Sequence, residues 1–364
     1  MKLSNFPFLV QKEILDHLSI NNILFLSLCS KRTKNSIKNT QKYQFQKVER
    51  FEYYMSSAGM TIQAKTVSRN DSDLVMGIFR TPTVFANALL GRKSSDWVEE
   101  ARVNVCGTSI DFFRSGTNHF DLHPQYCYET LESTIETIHN CFLDLLGEHT
   151  KSWLGSESET THRLPILRNI QALEIFGGII ESERIDEILS RTSCCEYLTA
   201  TACFEKQKSL REDSKVYDLD TVHVSTGSYL GKDIMRNFNG RHLFISGLFA
   251  LTMDAISFLN AWKSGEKFRN LEVMSMYSNI DFDLTWIQSS VDFKEVNTEV
   301  QYSFVRKFEE PDSSLPLTHP WEFESNLYLV RESDGHVASV MLTPERIFMG
   351  VWKMTEEQFL ERFQ

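Results

Sequence analysis

The chain has 364 residues, 41% of them hydrophobic, 24% charged, and few Gly (16) or Pro (8), which excludes a disordered or fibrous protein and leaves apolar surface for one large or two ordinary cores. Its net charge is −11, yet the six basic residues Lys31, Arg32, Lys34, Lys38, Lys42 and Lys47 run without an intervening acid, so everything else carries −17. That basic field is too narrow, and too poor in base-reading groups, for a nucleic-acid surface; it suits a solvated helix face or an acidic protein partner.

The opening stretch has apolar residues at helical spacing. Pro7 fits a first turn, where a missing N–H is not needed, and Leu9, Val10, Ile14, Leu15 and Leu18 then share one face. Ser19 can cap a second helix carrying Ile23, Leu24, Ser27 and Leu28, and a third, short and basic, is expected from Ser30 to Ile37. So small a bundle cannot enclose Val10, Leu24, Phe25 and Leu26 together, and each apolar side chain left in water forgoes about 1.5–3 kcal/mol of burial. A partner or a packed neighbour is expected to cover the excess.

From Lys47 to Phe120 the period changes to two, as in Phe51-Glu52-Tyr53 and Ala101 to Val105, which predicts short strands, with a helix over Pro82 to Leu90. Residues 129–147 form an amphipathic helix with Leu131, Ile135, Ile138, Phe142 and Leu145 on one side and Gly147 at its end. Beyond a polar stretch at 148–163, an apolar-x-x-apolar-x-apolar pattern recurs. Its copies are Ile170/Leu173/Ile175, Cys195/Leu198/Ala200, Leu219/Val222/Val224, Gly240/Leu243/Ile245, Phe268/Leu271/Val273 and Phe293/Val296/Thr298. The steps of 25, 24, 21, 28 and 25 residues match a leucine-rich-repeat period, with return helices fitting at Ser182 to Ser190 and Thr252 to Lys263. An ordinary α/β domain with right-handed strand–helix units is the alternative. A hairpin is expected where Leu327 to Val330 and Val337 to Leu342 flank Ser333-Asp334-Gly335, and a last helix from Thr355.

The expected class is therefore α+β or α/β: three N-terminal helices over residues 1–45, a mixed strand and helix segment at 47–163, and irregular leucine-rich-repeat-like strand–helix units closed by a hairpin at 164–364. The seven cysteines (29, 106, 127, 141, 194, 195 and 203) form no C-x-x-C pair and read as reduced core residues. No leader with a cleavage site and no run of ~18 apolar residues is seen, pointing to the cytoplasm or nucleus and away from a membrane.

Catalytic and cofactor signals are weak. Gly227 and Gly231 are separated by three residues where a phosphate loop has four, and Asp233 stands where a magnesium-binding hydroxyl belongs. His119, His123 and Cys127 have a metal-ligand spacing, but Pro124 interrupts the helix they would need. Glu136 and His139 supply half of a di-iron carboxylate pattern and read more simply as the polar side of a helix. Gly107-Thr108-Ser109 lacks the second glycine of a nucleophile elbow. No catalytic residue, metal ligand or cofactor is assigned.

Phe6-Pro7, Val10, Glu13-Ile14-Leu15, Leu18, Leu24, Leu28-Cys29 and Lys31 resemble the F-box, which binds the Skp-family adaptor of Skp-cullin-F-box ubiquitin ligases. The run Leu28-Cys-Ser-Lys-Arg-Thr-Lys34 is similar to the form in nematode F-box families that carry a C-terminal F-box-associated domain of type 2. Asp254, Phe258-Leu259, Trp262-Lys263, Gly265, Asn270-Leu271-Glu272, Asp334-Gly335, Ala338 and Val351-Trp352 resemble that domain. The resemblance implies a non-catalytic substrate-recognition subunit: an acidic adaptor, and through it a cullin, would engage Pro7, Val10, Ile14, Leu15, Leu18, Ile23, Leu24, Leu28 and Lys31, while the C-terminal domain would bind a target protein through residues not legible in the sequence. A scaffold without ligase coupling and a metal-dependent enzyme built on His119 and His123 are the competing readings.

Overall fold

The computed structural model describes residues 5–57, 59–66, 72–79, 97–105, 108–115, 122–124, 131–147, 150–192, 195–201, 203–204, 209–225, 230–248, 252–305 and 321–363. They form two compact units, one of residues 1–178 with 188–195 and the other of 179–187 with 196–364. The expected helix at 82–90, and His119, Cys127, Cys194 and Gly227, lie outside the described residues.

The first unit begins with helices α1 (Phe8–Asp16), α2 (Ile20–Cys29), α3 (Lys31–Thr40) and the single turn α4 (Lys42–Phe45). Ser19 caps α2 by accepting the Asn22 N–H, and Ser30 caps α3 by accepting that of Thr33, each meeting one of the donors that a helix start leaves open. Strands β1 (Val48–Ser56), β2 (Gly59–Thr66) and β3 (Ser72–Phe79) follow as an antiparallel meander. Strands β4 (Trp97–Val105), β5 (Thr108–Ser115) and β6 (Leu122–Pro124) make a separate antiparallel sheet. Helix α5 (Leu131–Leu146) ends at Gly147, whose φ of 103° is a glycine conformation. Strands β7 (Lys151–Glu157) and β8 (Ile170–Phe176) then join β1 in parallel, β1 to β7 and β7 to β8.

Alternation along β1 places Phe51, Tyr53 and Met55 on one face, all buried. Phe51 stacks on Phe142 of α5 with ring centroids 5.1 Å apart, and the Tyr53 hydroxyl meets His139 at 2.8 Å. His139 therefore belongs to the core, and Glu136 accepts the Ile166 backbone N–H.

In the second unit, strands β9 (Ile179–Ile180) and β11 (Cys203–Phe204) pair as a separate two-stranded sheet; α6 (Ser182–Arg191), divided between the two units at Ile188, covers the first expected return helix. The main sheet runs β10 (Tyr197–Ala200), β12 (Thr221–Ser225), β13 (His242–Leu248) and β14 (Val273–Ser278), all parallel. Helix α7 (Leu230–Asn237) lies between β12 and β13 in sequence, α8 (Thr252–Lys263) between β13 and β14, and α9 (Leu284–Ser290) follows β14. Strands β15 (Lys294–Phe304), β16 (Trp321–Val330), β17 (His336–Leu342) and β18 (Arg346–Thr355) complete the sheet in the antiparallel order β14-β18-β17-β16-β15. Helix α10 (Glu356–Phe363) closes the chain, its buried Phe359 packing with Val296, Val300, Tyr328 and Val337.

Leu198, Val222 and Leu243 are direct cross-strand partners, as are Ala200, Val224 and Ile245, so these three copies of the apolar pattern lie in register. The next strand departs from the expected spacing: Leu243 and Ile245 pair with Met274 and Met276, so the copy on β14 is Leu271/Met274/Met276 rather than Phe268/Leu271/Val273. The sixth copy falls on β15, which pairs antiparallel and belongs to the meander. Phe293/Val296/Thr298 is a chance match, because three apolar residues at such spacing are common in any half-buried strand.

The hairpin turn forms as expected, with Gly335 at φ 74° between β16 and β17. Gly265 takes φ 73° just beyond α8. Cys141 is buried, but Cys195 is only half-buried and Cys29 is exposed at the end of α2, a correction to the reading of all cysteines as core. No helix among the described residues is long and apolar enough to cross a membrane.

Candidate adaptor-docking site

The first helices divide the expected docking residues into three groups. Leu15, Ile23 and Leu24 are fully buried and Leu28 nearly so, as are Ile37 of α3 and Phe45 of α4. Ile14 and Leu18 are half-buried, while Pro7, Val10 and Lys31 are exposed. Beside Val10, Phe8 and Leu9 are 59% and 76% exposed. The exposed apolar residues of these two helices are thus in the first turn of α1, Phe8-Leu9-Val10, whereas Phe25 and Leu26 on α2 are half-buried. Phe8 and Leu9 lie outside the docking set expected from sequence; helical periodicity places Leu9 on one face with Leu15, but α1 turns it outward.

Side-chain hydrogen bonds fix the geometry of this turn. The Gln11 amide donates to the Phe6 carbonyl at 2.7 Å, and the Ser36 hydroxyl of α3 donates to Gln11 at 3.0 Å. Gln41 donates to Asp16 at 2.9 Å, tying the end of α3 to the end of α1. The exposed segment is therefore held in place, a pre-organised surface that loses little entropy on association.

The basic run is partly neutralised inside the unit. Lys34 and Lys38 both pair with Asp144 of α5, at 2.6 and 3.0 Å. These hydrogen bonds hold the Asp144 carboxyl down to about 2. Lys47 lies over the Tyr43 ring at 4.5 Å. Among the described residues, exposed Lys31, Arg32, Lys42 and Lys47 have no ion pair, and the one Asp144 carboxylate offsets only one of the two charges on Lys34 and Lys38.

The catalytic candidates find no site among the described residues. Gly231 and Lys232 lie within α7, Lys232 pairs with Asp254 at 3.1 Å, and Asp233 accepts the Leu210 backbone N–H at 3.3 Å. Ser109 sits on β5 opposite Asn104. No three His, Cys, Asp or Glu side chains among the described residues gather as a metal site.

Residues 3–45 match the F-box domain model. No curated protein matches the chain significantly, and no solved structure does. The N-terminal helices are thus those of an F-box domain, which implies a Skp-type adaptor as partner and a ubiquitin-ligase adaptor role; the remainder is a mixed helix and strand domain with a large sheet.

Proposed function

We propose that this protein is the target-recruiting subunit of a Skp-cullin-F-box ubiquitin ligase, without an active site of its own. The Skp-family adaptor covers Pro7, Phe8, Leu9 and Val10 and reaches Ile14, Leu18 and Lys31, while the domain beyond residue 45 binds a target protein. The supporting observation is that three successive apolar side chains, in a domain matching the F-box model, stand in water on a segment held by its own hydrogen bonds. Covering each would recover about 1.5–3 kcal/mol, and the subunit's contribution is then effective concentration of target near a conjugating enzyme. On this reading the C-terminal domain is the type 2 F-box-associated domain of nematode-type F-box proteins, supported by the short motifs that resemble it.

A second reading, an interaction scaffold without ligase coupling, is favoured by one observation: Leu24 and the ion pairs of Lys34 and Lys38 already tie the F-box helices into the first unit. Co-expression of the full chain with a Skp-family adaptor, followed by pull-down, separates the two. Retention of the adaptor by the wild type, and its loss in a Leu9→Asp/Val10→Asp double variant of unchanged melting temperature, supports the ligase. A full-length chain that ignores the adaptor removes it.

A further inference from the structure

The four parallel strands of the second unit are entered through residues that form a row. Glu196, Asp220, Arg241 and Glu272 each stand immediately before β10, β12, β13 and β14. Their carbonyls accept, in order, the N–H groups of Thr221, His242, Val273 and Val351. Successive strand entries are therefore locked side by side, and three of these four residues, Asp220, Arg241 and Glu272, line a cavity of about 590 Å³ at this edge of the sheet. That volume lies within the ~300–1,000 Å³ of ordinary ligand sites. A side chain at Gly240, also in the lining, would run into the Leu219 carbonyl and the Phe238 ring, so only glycine leaves the strand entries this close.

The charges of the lining are mostly paired. Asp220 holds the Arg241 guanidinium through both its oxygens, one contact being 2.7 Å, and Glu272 holds Lys353 at 2.7 Å. Burial opposes ionisation of Glu272, but Lys353, His242 and Arg241 outweigh it and keep the carboxyl below the usual glutamate value. Arg331 is committed to Asp334 at 2.7 Å, and Asp218 accepts the Asn239 amide at 3.0 Å. Arg269 alone among the lining cations has no carboxylate within the described residues: its Nε donates to the Gly265 carbonyl at 3.1 Å, which leaves the terminal nitrogens open.

The turn presenting Arg269 is strained and over-determined. Phe268 has φ 59°, in the left-handed region that side chains other than Gly, Asn and Asp seldom occupy. It is held there by its ring against Phe258, with centroids 4.4 Å apart, and by buried Arg331, which donates to the Phe268 and Arg269 carbonyls at 3.4 and 3.0 Å. The Asn270 amide adds a bond to the Asn239 carbonyl at 2.9 Å. Strain that packing and a buried guanidinium maintain is a feature of binding sites.

We propose that this cavity receives a segment of the target protein through one carboxylate, bound by the guanidinium of Arg269, with the Asn239 and Asn270 region beside it. The inference rests on the target-recruiting reading and names the chemistry of the target. The carboxylate is a side chain or a chain terminus; both present the same bidentate acceptor to a guanidinium. A dianionic phosphate is disfavoured by Asp218, Asp220 and Glu272 in the same lining, with one cation unpaired.

Arrays of randomised heptapeptides test this with full-length protein. Acetylated and amidated sets carry Glu, Gln or phosphoserine fixed at the centre, and another Gln set ends in a free carboxyl. Either the Glu set or the free-carboxyl set is expected to retain the protein about tenfold better than the amidated Gln set, the scale of one charge-assisted hydrogen-bond pair, and the stronger of the two identifies the source. Arg269→Ala abolishes the preference while leaving the melting temperature and adaptor pull-down unchanged, and Arg269→Lys keeps part of it. Equal retention of charged and Gln sets overturns the proposal, as does a preference that survives Arg269→Ala or a phosphoserine set above both carboxylate sets. Peptide arrays that fail while the adaptor is still captured remove this site alone; loss of adaptor capture in the wild type removes the ligase reading instead.

Discussion

Lys34, on the third F-box helix, meets Asp144 on α5 at 2.6 Å, and Lys38 one turn later meets the other oxygen of the same carboxylate at 3.0 Å. The pairing holds Asp144 down to about 2 from an ordinary 3.8. Because the folded value is the lower one, its contribution is complete above the unfolded aspartate range near pH 4 and fades as acid approaches pH 2. Asp144 is 58% exposed, so water and salt screen the pair, and Asp144→Asn should lower stability by only about 0.5–1 kcal/mol at neutral pH. Urea unfolding at low and high salt checks it: a loss that does not shrink in salt argues against an ionic origin. The variant also frees two ammonium groups, so an acidic adaptor should bind it more tightly at low salt.

Leu9 and Leu24 should respond oppositely to the same replacement. Leu9 is 76% exposed and Leu24 is fully buried. Leu9→Asp is expected to leave the unfolding midpoint within about 0.5 kcal/mol of wild type, as surface replacements do, and to weaken adaptor capture. Leu24→Asp puts a carboxylate in a core with no partner and should unfold the F-box helices, a cost of several kcal/mol. Circular dichroism melts beside the pull-down separate these effects. A Leu24→Asp protein that melts like the wild type would show that the helices do not pack as described.

His139 makes the first unit sensitive to mild acid. Its Nε2 faces the Arg168 carbonyl at 2.8 Å, an acceptor only, so Nε2 carries the proton and Nδ1 accepts the Tyr53 hydroxyl at 2.8 Å. Burial pushes its pKa from 6.5 to about 4, the Arg168 carbonyl opposing only in part. The unfolded chain then binds a proton between pH 6.5 and 4 that the folded chain refuses. Stability is full above pH 6.5 and falls through that window, by about 3 kcal/mol in all. His139→Gln should be less stable at neutral pH, since Tyr53 loses its acceptor, and should show a flatter profile between pH 6.5 and 4. Urea midpoints across this range decide it; an unchanged slope in the variant would assign the acid sensitivity elsewhere.

Gly350 is fixed by close approach rather than by conformation. A Cβ there would lie 2.5 Å from the ring of Tyr302, which is stacked on Phe323 and edge-on to Trp352. The strand cannot move aside, since Gly350 pairs with Val273 on one side and Ser339 on the other. Gly350→Ala should cost about 1–3 kcal/mol as an overpacked core, read from the denaturation midpoint.

What the sequence disclosed follows from how local each signal is. The boundaries of α5, α8 and the β16–β17 hairpin are written in periodicity and in Gly147, Gly265 and Gly335, and all three form where expected. The repeat was legible only where the parallel strands keep one register, at Leu198, Val222 and Leu243. The longer connection through α8 shifted the frame by three residues at β14, and an antiparallel strand mimicked the pattern at Val296. Inside and outside of α1 were harder, because Leu9 and Leu15 are equally apolar and only contacts distant in sequence, such as that of Ser36 with Gln11, decide which faces water. The charge row escaped notice entirely, although Asp220, Arg241 and Glu272 each stand just before a strand of the repeat, a position the pattern itself could have marked.

Arg331 is the residue on which the cavity turn depends. It is 3% exposed, its Nε and one terminal nitrogen hold Asp334 at 2.9 and 2.7 Å, its other terminal nitrogen bonds the carbonyls of Phe268 and Arg269, and its face lies 5.2 Å from the Trp262 ring. Arg331 itself is buried, whereas Asp334 is 39% exposed and also accepts the His336 backbone N–H at 3.1 Å, so removal chiefly leaves the Phe268 and Arg269 carbonyls without this donor. Arg331→Met keeps most of the volume and should cost about 1–3 kcal/mol, the scale of buried acceptors left without a donor. Arg331→Lys retains the charge but cannot reach Asp334 and the two carbonyls at once, since an ammonium lacks the planar fork, and should fall between. With the guanidinium gone, Phe268 is free to leave its positive φ, and Arg269 moves with it. Carboxylate-peptide binding should therefore be lost in Arg331→Met even under conditions where the domain remains folded, whereas a variant that loses under about 1 kcal/mol and still binds would mean that packing of Phe268 on Phe258 suffices to hold the turn.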